Sequence, residues 1–351
     1  MMQGPRAVLE QLLDRRDLSE SAAASLLECL TDPDTTPILA GALLTALRAK
    51  GVTAPEVRGF AGAMRALARK PLLAGALGAI DIVGTGGDSS GSLNLSTGAA
   101  LLAAACGLPV IKHGNRSISS RSGSADLIER LGFALPLDEA GAARCFAATG
   151  FTFLFAPYYH PAMKVLAPVR AALGVRTLLN LLGPLTNPAA PGFYLIGAYD
   201  PAAAELMADS LAGMEIEHAW VIHGAGGWDE ATPIGPFLAF DVNRGEVRRL
   251  RFDPADIGVE RCDARDLAGG DPEANFAALC AVFSGSDRGP HLSALALQAG
   301  LALHVAGRAE SIGAGVSLAR AAVASGRAQV WFERLRDFAA AEADLSAGAG
   351  A

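Results

Sequence analysis

A change of texture near residue 79 divides the chain. Before it, apolar residues recur at helical spacing and no β-rich run interrupts them. "AVLEQLLDRR" carries that period. "TTPILAGALLTALRAKG" ends on Lys50-Gly51, a basic last turn followed by a glycine C-cap. "TAPEVRGFAGAMRALAR" opens with Thr53-x-x-Glu56, the spacing of a capping box. This part predicts a small helical bundle. Beyond it, short apolar runs ("AIDIV", "FTFLFA", "YLIGAY", "HAWVIHG") read as strands, with helical stretches near 97–106, 124–131, 138–149 and 201–213 between them. Such alternation predicts a larger α/β domain whose central sheet is covered by helices. In "FLAFDVNRGEVRRLRF" at 237–252 the central "NRG" marks a turn, so this stretch reads as a β-hairpin. Helices return after residue 270, where Asp271 takes the N-cap and Pro272 the first helical position. A length of 351 residues exceeds what one core usually serves, in keeping with two subdomains.

Composition removes several function classes. Hydrophobic residues make up 51% of the chain and the mean hydropathy is +0.31, both inflated by alanine. The longest apolar run, Gly98 to Ile111, contains Pro109 and is shorter than the roughly 20 residues that a membrane-spanning helix needs. The N-terminal stretch has no apolar signal core. The chain therefore reads as soluble and cytoplasmic, with no membrane partner. A net charge of −7 disfavours general nucleic-acid binding, which draws on broad basic surfaces. Cys29, Cys106, Cys145, Cys262 and Cys280 are odd in number and widely spaced, so they read as reduced thiols rather than a zinc site or disulfide framework.

Three loops at strand ends carry the chemistry. "GTGGDSSGSLNLST" at 84–97 follows one apolar run and leads into a helix opened by Ser96-Thr97. Glycines let backbone N–H groups approach a ligand, and a helix N-terminus adds free donors and partial positive charge. Neither the GxxxxGK[ST] nor the GxGxxG pattern is present, and alone the loop could be a tight turn. "KHGNRSISSRSGS" at 112–124 brings Lys112, Arg116 and Arg121 to the end of a second strand, where α/β sheets place ligands. An exposed basic loop would explain its charges, but not a second glycine–serine loop beside the first. "HGAGGWDEATPIGP" at 223–236 adds Asp229-Glu230. Such a pair is ordinarily a solvated acidic turn. Beside two anion loops it suits Mg²⁺, which takes oxygen ligands and keeps waters for substrate phosphates. Together the loops describe a magnesium-dependent site for a small polyphosphorylated ligand. A phosphate charge about 4 Å from a cation gains about 4 kcal/mol at an effective dielectric of 20, before desolvation.

"GTGGD…NLST", "KHGNRSISSRSGS", "HPAMKVLAPVR", "RTLLNLLGPLTNP" and the Asp-Glu loop, in that order, closely resemble the anthranilate phosphoribosyltransferases, from the N-terminal helices to about residue 340. The resemblance implies a nucleoside phosphorylase-like fold with its active site in the cleft between two domains. Residues 1–72 with 167–190 would form the small helical domain that carries dimerisation, and 73–166 with 191–345 the large α/β domain. The substrates implied are 5-phosphoribosyl 1-diphosphate (PRPP) and anthranilate, and the cofactor Mg²⁺. Gly84, Gly87, Asp88, Ser92, Asn94, Ser96 and Thr97 match the diphosphate cradle, and Lys112, Asn115, Ser120 and Ser124 the second donor loop. Gly84, Asn115 and Arg170 match positions facing anthranilate. Ser96, Asp229 and Glu230 match metal-site positions. No covalent nucleophile is implied, and His113 would line the aromatic site.

The chain also departs from the family pattern. Tyr159-His160 stands where a His-His pair is frequent, which would place Tyr159 along the aromatic substrate's access route. "GPHLSALALQAG" replaces a more usual Arg-Asp and Asn-Ala run, a change that reads as helix packing. Two alternatives stay in view: a pyrimidine-nucleoside phosphorylase, and a non-catalytic paralogue of the same fold that binds nucleic acid.

Overall fold

The computed structural model describes residues 4–88, 90–117 and 121–348, with side chains described through Ala343. Helices α1 (Pro5–Leu13), α2 (Glu20–Thr31), α3 (Pro37–Lys50) and α4 (Ala54–Ala66) form the N-terminal bundle. Each of the last three starts where its sequence signals it. Ser19 accepts from the Ala22 N–H at 3.2 Å, Thr36 from the Leu39 N–H at 3.4 Å, and Glu56 from the Thr53 N–H at 2.9 Å. Glu56 does more than cap. It is fully buried, accepts the Leu18 N–H at 2.9 Å and pairs with Lys50 at 3.0 Å. This satisfied buried carboxylate ties the α1–α2 connection to the ends of α3 and α4.

The rest runs β1 (Ile80–Gly84), α5 (Leu95–Ala105), β2 (Val110–Gly114), α6 (Ser124–Arg130), α7 (Glu139–Thr149), β3 (Phe151–Phe155), α8 (Ala156–Tyr159), α9 (Met163–Leu173), α10 (Leu179–Leu182), β4 (Phe193–Gly197), α11 (Pro201–Ala212), β5 (His218–His223), β6 (Phe237–Asn243), β7 (Glu246–Phe252), α12 (Pro272–Phe283), α13 (Pro290–Val305), α14 (Ile312–Ala324) and α15 (Arg327–Gly348). The strands form one sheet in the order β3-β2-β1-β4-β5-β6-β7. β1 to β5 are parallel, and β6 and β7 add an antiparallel edge. The hairpin turns at Arg244-Gly245, both at positive φ (51° and 81°), as a two-residue primed turn requires.

Strand alternation in β4 to β6 feeds two cores. Tyr194, Ile196, Ala219, Val221, Phe240 and Val242 pack toward the helical bundle and α11. Leu195, Trp220, Ile222, Phe237 and Ala239 pack on the opposite face with α5 and the C-terminal helices. Leu166 and Val169 of α9, Leu179 and Leu182 of α10, and Leu178 and Leu185 beside them belong to the bundle-side core. Helix α5 is buried nearly all round, which its small residues permit. In the divergent segment, α13 crosses α14 where a Cβ on Gly300 would meet the Val316 nitrogen at 2.5 Å. The expectation that this segment concerns helix packing agrees with that contact.

Two glycines of α4 should respond oppositely to alanine. A Cβ on Gly59 would lie 2.2 Å from the Glu20 carbonyl oxygen, whereas Gly62 has nothing within 4 Å. Gly59→Ala should destabilise by about 1–3 kcal/mol through overpacking, and Gly62→Ala should stabilise by about 0.5–1 kcal/mol through helix propensity. Urea unfolding of the two variants checks the pair, and equal shifts would contradict the α2–α4 packing.

Candidate active site

The order of the strands creates the crevice. The chain runs outward from β1 through β2 to β3, then returns to lay β4 on the other side of β1. The loops after β1 and β4 therefore diverge at their carboxyl ends, the usual ligand position in such sheets. Gly84 and Gly197 are register partners there. A Cβ on Gly84 would lie 2.4 Å from Asp229 Oδ2, and one on Gly197 only 1.4 Å from the Asp229 carbonyl oxygen. Two strand ends without side chains let the loop after β5 lie directly over them.

That loop places Asp229 and Glu230, only 6% and 8% exposed, against the first loop. One carboxylate oxygen each from Asp88, Asp229 and Glu230 falls within a 4.8 Å cluster. Backbone donors aim them: the Gly86 N–H donates to Asp229 at 2.7 Å and the Ser96 N–H to Glu230 at 3.3 Å. Asp88 accepts from the Ser90 N–H and hydroxyl at 3.1 and 3.0 Å. Burial, and then the charge of Asp88, pushes Asp229 up to about 7; burial, and then Asp229, holds Glu230 well above the carboxylate range. An all-oxygen set of mutually repelling carboxylates fits a hard divalent cation. Asp229 and Glu230 are expected metal residues. Asp88, expected in the donor cradle, joins them, and Ser96 takes part through the N–H that holds Glu230.

Lys112 sits inside β2, not in the loop beyond it. Its ammonium donates to the Ile82 carbonyl oxygen, and burial lowers it to about 8 despite Asp81, Glu230 and Asp229 nearby. Asp81 is raised to about 6 by burial and accepts from Asn187 at 2.9 Å.

The remaining cradle positions line the first loop and the start of α5, which begins at Leu95, earlier than the sequence suggests. Gly87 has φ +76°. Ser92 is half-buried, and Thr97 is buried with its hydroxyl unpartnered. Asn94 occupies the N-cap, but its side chain makes no capping bond. In the second loop Asn115 is exposed and Ser124 opens α6; Ser120 lies outside the described residues. Arg116 is not a free cation for a ligand, because Glu129 and Asp126 already pair with it.

The acceptor side differs from expectation at one residue. Tyr159 is fully buried and donates its hydroxyl to the Leu137 carbonyl at 3.1 Å, so it packs in the core and lines no access route. His113 is buried, its Nδ1 lies 3.2 Å from the Gly183 carbonyl, and its ring meets His160 edge-on at 5.0 Å. Burial, and then His160, lowers His113 to about 3, so it is neutral. Arg170, in the last turn of α9, is half-buried, and its guanidinium has no hydrogen-bond or ion-pair partner among the described residues; burial lowers its pKa. Sequence reasoning missed Arg176, which donates to the Gly87 carbonyl oxygen and lies 4.0 Å from the Tyr199 ring centroid. Its position in "RTLLNLLGPLTNP" was the available signal.

The chain resembles known proteins along most of its length. Residues 6–68 match the helical bundle domain of a glycosyl transferase family, and residues 77–329 match its a/b domain. The chain is 44% identical over 324 residues to anthranilate phosphoribosyltransferase of Chloroflexus aggregans, covering 92% of this chain and 95% of that one. The crystal structure of the Thermus thermophilus anthranilate phosphoribosyltransferase superposes with a TM-score of 0.89 at 41% identity, over 95% of this chain and 99% of that one. The Saccharomyces cerevisiae enzyme in complex with PRPP and Mg gives 0.85 at 26% identity, over 96% and 98%.

The acid cluster predicts a pH signature. Asp229, Glu230 and Asp81 keep their protons to higher pH in the folded chain than in the unfolded one, where carboxyls titrate near pH 4. Between about pH 4 and 7 the native state therefore binds more protons, and their contribution makes stability fall as pH rises. Thermal melts in chelator at pH 5 and 7 should show this loss. Excess Mg²⁺ should raise the midpoint more at pH 7, where fewer protons compete for the oxygens. Asp229→Asn with Glu230→Gln should flatten both responses; an unaltered profile would count against the cluster.

Proposed function

This chain belongs to the anthranilate phosphoribosyltransferase family, and on that premise we propose how its site works. It transfers the 5-phosphoribosyl group of PRPP to the amine of anthranilate, giving N-(5-phosphoribosyl)anthranilate and diphosphate. The observation that carries the reading is the meeting of the first and third loops at the Asp88–Asp229–Glu230 cluster by the switch point of the sheet, with Ser122 of the second loop bonded to Asn94 of the first. The relatives support it over pyrimidine-nucleoside phosphorolysis or nucleic-acid binding.

In this reading the first loop (Gly84, Gly87, Asp88, Ser92, Asn94, Ser96, Thr97) cradles the donor's diphosphate. Lys112, Asn115, Ser120 and Ser124 face its phosphate and ribose. Asp88, Asp229 and Glu230 would hold Mg²⁺, with Ser96 beside it; when bound, the ion supplies positive charge to the leaving diphosphate. The C1–O bond to diphosphate breaks and a C1–N bond forms with the amine, whose displaced proton leaves to solvent. An aryl amine is neutral at pH 7, so the attack needs little base assistance. The chain's contribution is positioning and charge stabilisation. Arg170 is unpartnered and half-buried, and a guanidinium there can grip the anthranilate carboxylate through two parallel hydrogen bonds. Gly84 and Asn115 would complete the acceptor side.

The division into residues 1–72 with 167–190 and the remainder is part of this proposal, supported by the leucines of α9 and α10 in the bundle-side core. So is a homodimer through the small domain: Ile38 on α3 is 87% exposed and Leu13 on α1 is 62% exposed. Among the described residues no helix is long and apolar enough to cross a membrane, in keeping with the proposed cytoplasmic site of action.

Loss of anthranilate fluorescence with PRPP and Mg²⁺ present tests the activity directly; no loss with both present would overturn it. Asp229→Asn with Glu230→Gln should lower turnover and raise the Mg²⁺ requirement. Arg170→Ala should raise the anthranilate KM by about 10- to 150-fold, the equivalent of roughly 1.5–3 kcal/mol for a hydrogen bond to a charged group, and leave the donor KM little changed. A defect mainly in the donor constant would refute the Arg170 role.

A further inference from the structure

Asn94 stands at the N-cap of α5, with φ −63° and ψ 67°, yet does not cap the helix. Its side chain turns away to two other segments. Oδ1 accepts from the Ser122 hydroxyl at 3.0 Å and from Asn275 Nδ2 at 2.8 Å, and Nδ2 donates to the Ser122 carbonyl oxygen at 3.0 Å. Asn275, in the first turns of α12 and only 2% exposed, accepts the Gly270 N–H through Oδ1 at 2.6 Å. A backbone N–H can only donate, and a backbone carbonyl can only accept. The polarity therefore runs one way: Gly270 N–H to Asn275 oxygen, Asn275 amide to Asn94 oxygen, Asn94 amide to Ser122 carbonyl. Reversing either amide would set donor against donor or acceptor against acceptor. The chain crosses from the segment before α12, through the first loop, to the second.

The segment before α12 already holds the first loop by its backbone. The Leu93 N–H donates to the Leu267 carbonyl at 3.0 Å, and the Gly269 N–H to the Gly91 carbonyl at 2.8 Å. Those bonds fix the loop's path but not the direction of the Asn94 amide, nor its tie to the second loop. Asn275 does both. One amide hydrogen of Asn94 has no partner among the described residues, and phosphate oxygens would accept it.

We propose that Asn275 is a positioning residue for the donor site, acting through Asn94 to join the two donor loops and to aim the remaining Asn94 N–H at the donor's phosphates. This rests on the donor reading above. The test is an equilibrium titration of the Mg²⁺-loaded protein with PRPP in the absence of anthranilate. Asn275→Ala should weaken the donor by about tenfold, the loss expected of one oriented hydrogen bond. Asn275→Asp keeps the bond to Gly270 but turns a second acceptor on Asn94, and should weaken it at least as much. In an Asn94→Ala background Asn275→Asp should add no further loss, because the residue through which it acts is gone. The anthranilate KM should stay within about twofold of the parent value.

A purely structural role would lower the thermal midpoint of both variants and leave their PRPP titrations like the parent's, and would overturn the proposal. So would an equal loss in the Asn94→Ala background. If the alanine variant does not fold, the near-isosteric aspartate decides. A parent that binds no PRPP would overturn the functional reading and this inference together; a parent that binds while the variants match it would overturn the positioning role alone.

Discussion

Asp229 can lie across the carboxyl ends of β1 and β4 only because neither Gly84 nor Gly197 carries a side chain, and the rest of the site depends on that contact. A methyl group at Gly197 would meet the Asp229 backbone and push the third loop outward, and one at Gly84 would meet the Asp229 carboxylate and turn it aside. With the loop seated, the Gly86 and Ser96 N–H groups reach Asp229 and Glu230, and the first loop is pinned at both its ends by the third. An Asp-Glu pair in a free loop would be solvated and would do little. Here the topology of the sheet opens a crevice, two glycines let a chain segment into it, and backbone donors at the start of α5 orient what that segment carries.

The price is electrostatic. Asp88, Asp229 and Glu230 crowd together, and Lys112 is the buried cation that feels Asp229 and Glu230 from below. Its ammonium is committed to the Ile82 carbonyl oxygen, and burial weakens its hold on its own proton. One such charge does not balance three carboxylates and Asp81. The cluster is thus held by the fold in a state that a proton or a cation relieves. The neutral His113 beside Gly183 adds no positive charge to the balance.

What the sequence made legible was local. The capping box of Thr53 and Glu56, the cap at Asp271 and the hairpin at Arg244-Gly245 depend on residues a few positions apart, and each formed as its pattern implies. The three loops were visible because glycine and serine after an apolar run have few other uses. The destination of individual side chains was not. Lys112 looked like a loop residue beside His113 and Gly114, yet the strand extends through it and its amine finds a carbonyl on β1. Arg116 looked available until α6 brought Glu129 to it. Tyr159 looked like a substitution at the site until Leu137, 22 positions away, took its hydroxyl. Asp88 joined the acids only through a residue 141 positions on. Each miss turns on a partner supplied by tertiary packing, which no local pattern encodes.

The same strand that ends in the crevice also fixes the small domain. β4 turns Tyr194 and Ile196 into the bundle-side core, where Arg65 of α4 donates to the Tyr194 hydroxyl at 2.9 Å, and it ends at Gly197 under Asp229. Helix α9 packs Val169 and Leu173 against Gly41 of α3, so Arg170 is carried by the bundle. Arg176, a few residues on, reaches the donor loop at Gly87. On the proposed reading the acceptor's carboxylate is therefore held from one core and the donor's diphosphate from the other. The separation between the attacking amine and C1 is then set by how the two cores sit on β4, not by any one side chain. Fixing that separation converts an encounter of two substrates into an intramolecular step, which supplies rate without a nucleophile or a general base. It also explains why a site with so few reactive groups spends so much of its sequence on glycine, backbone donors and buried amides: its chemistry is geometry, and these are the groups that set it.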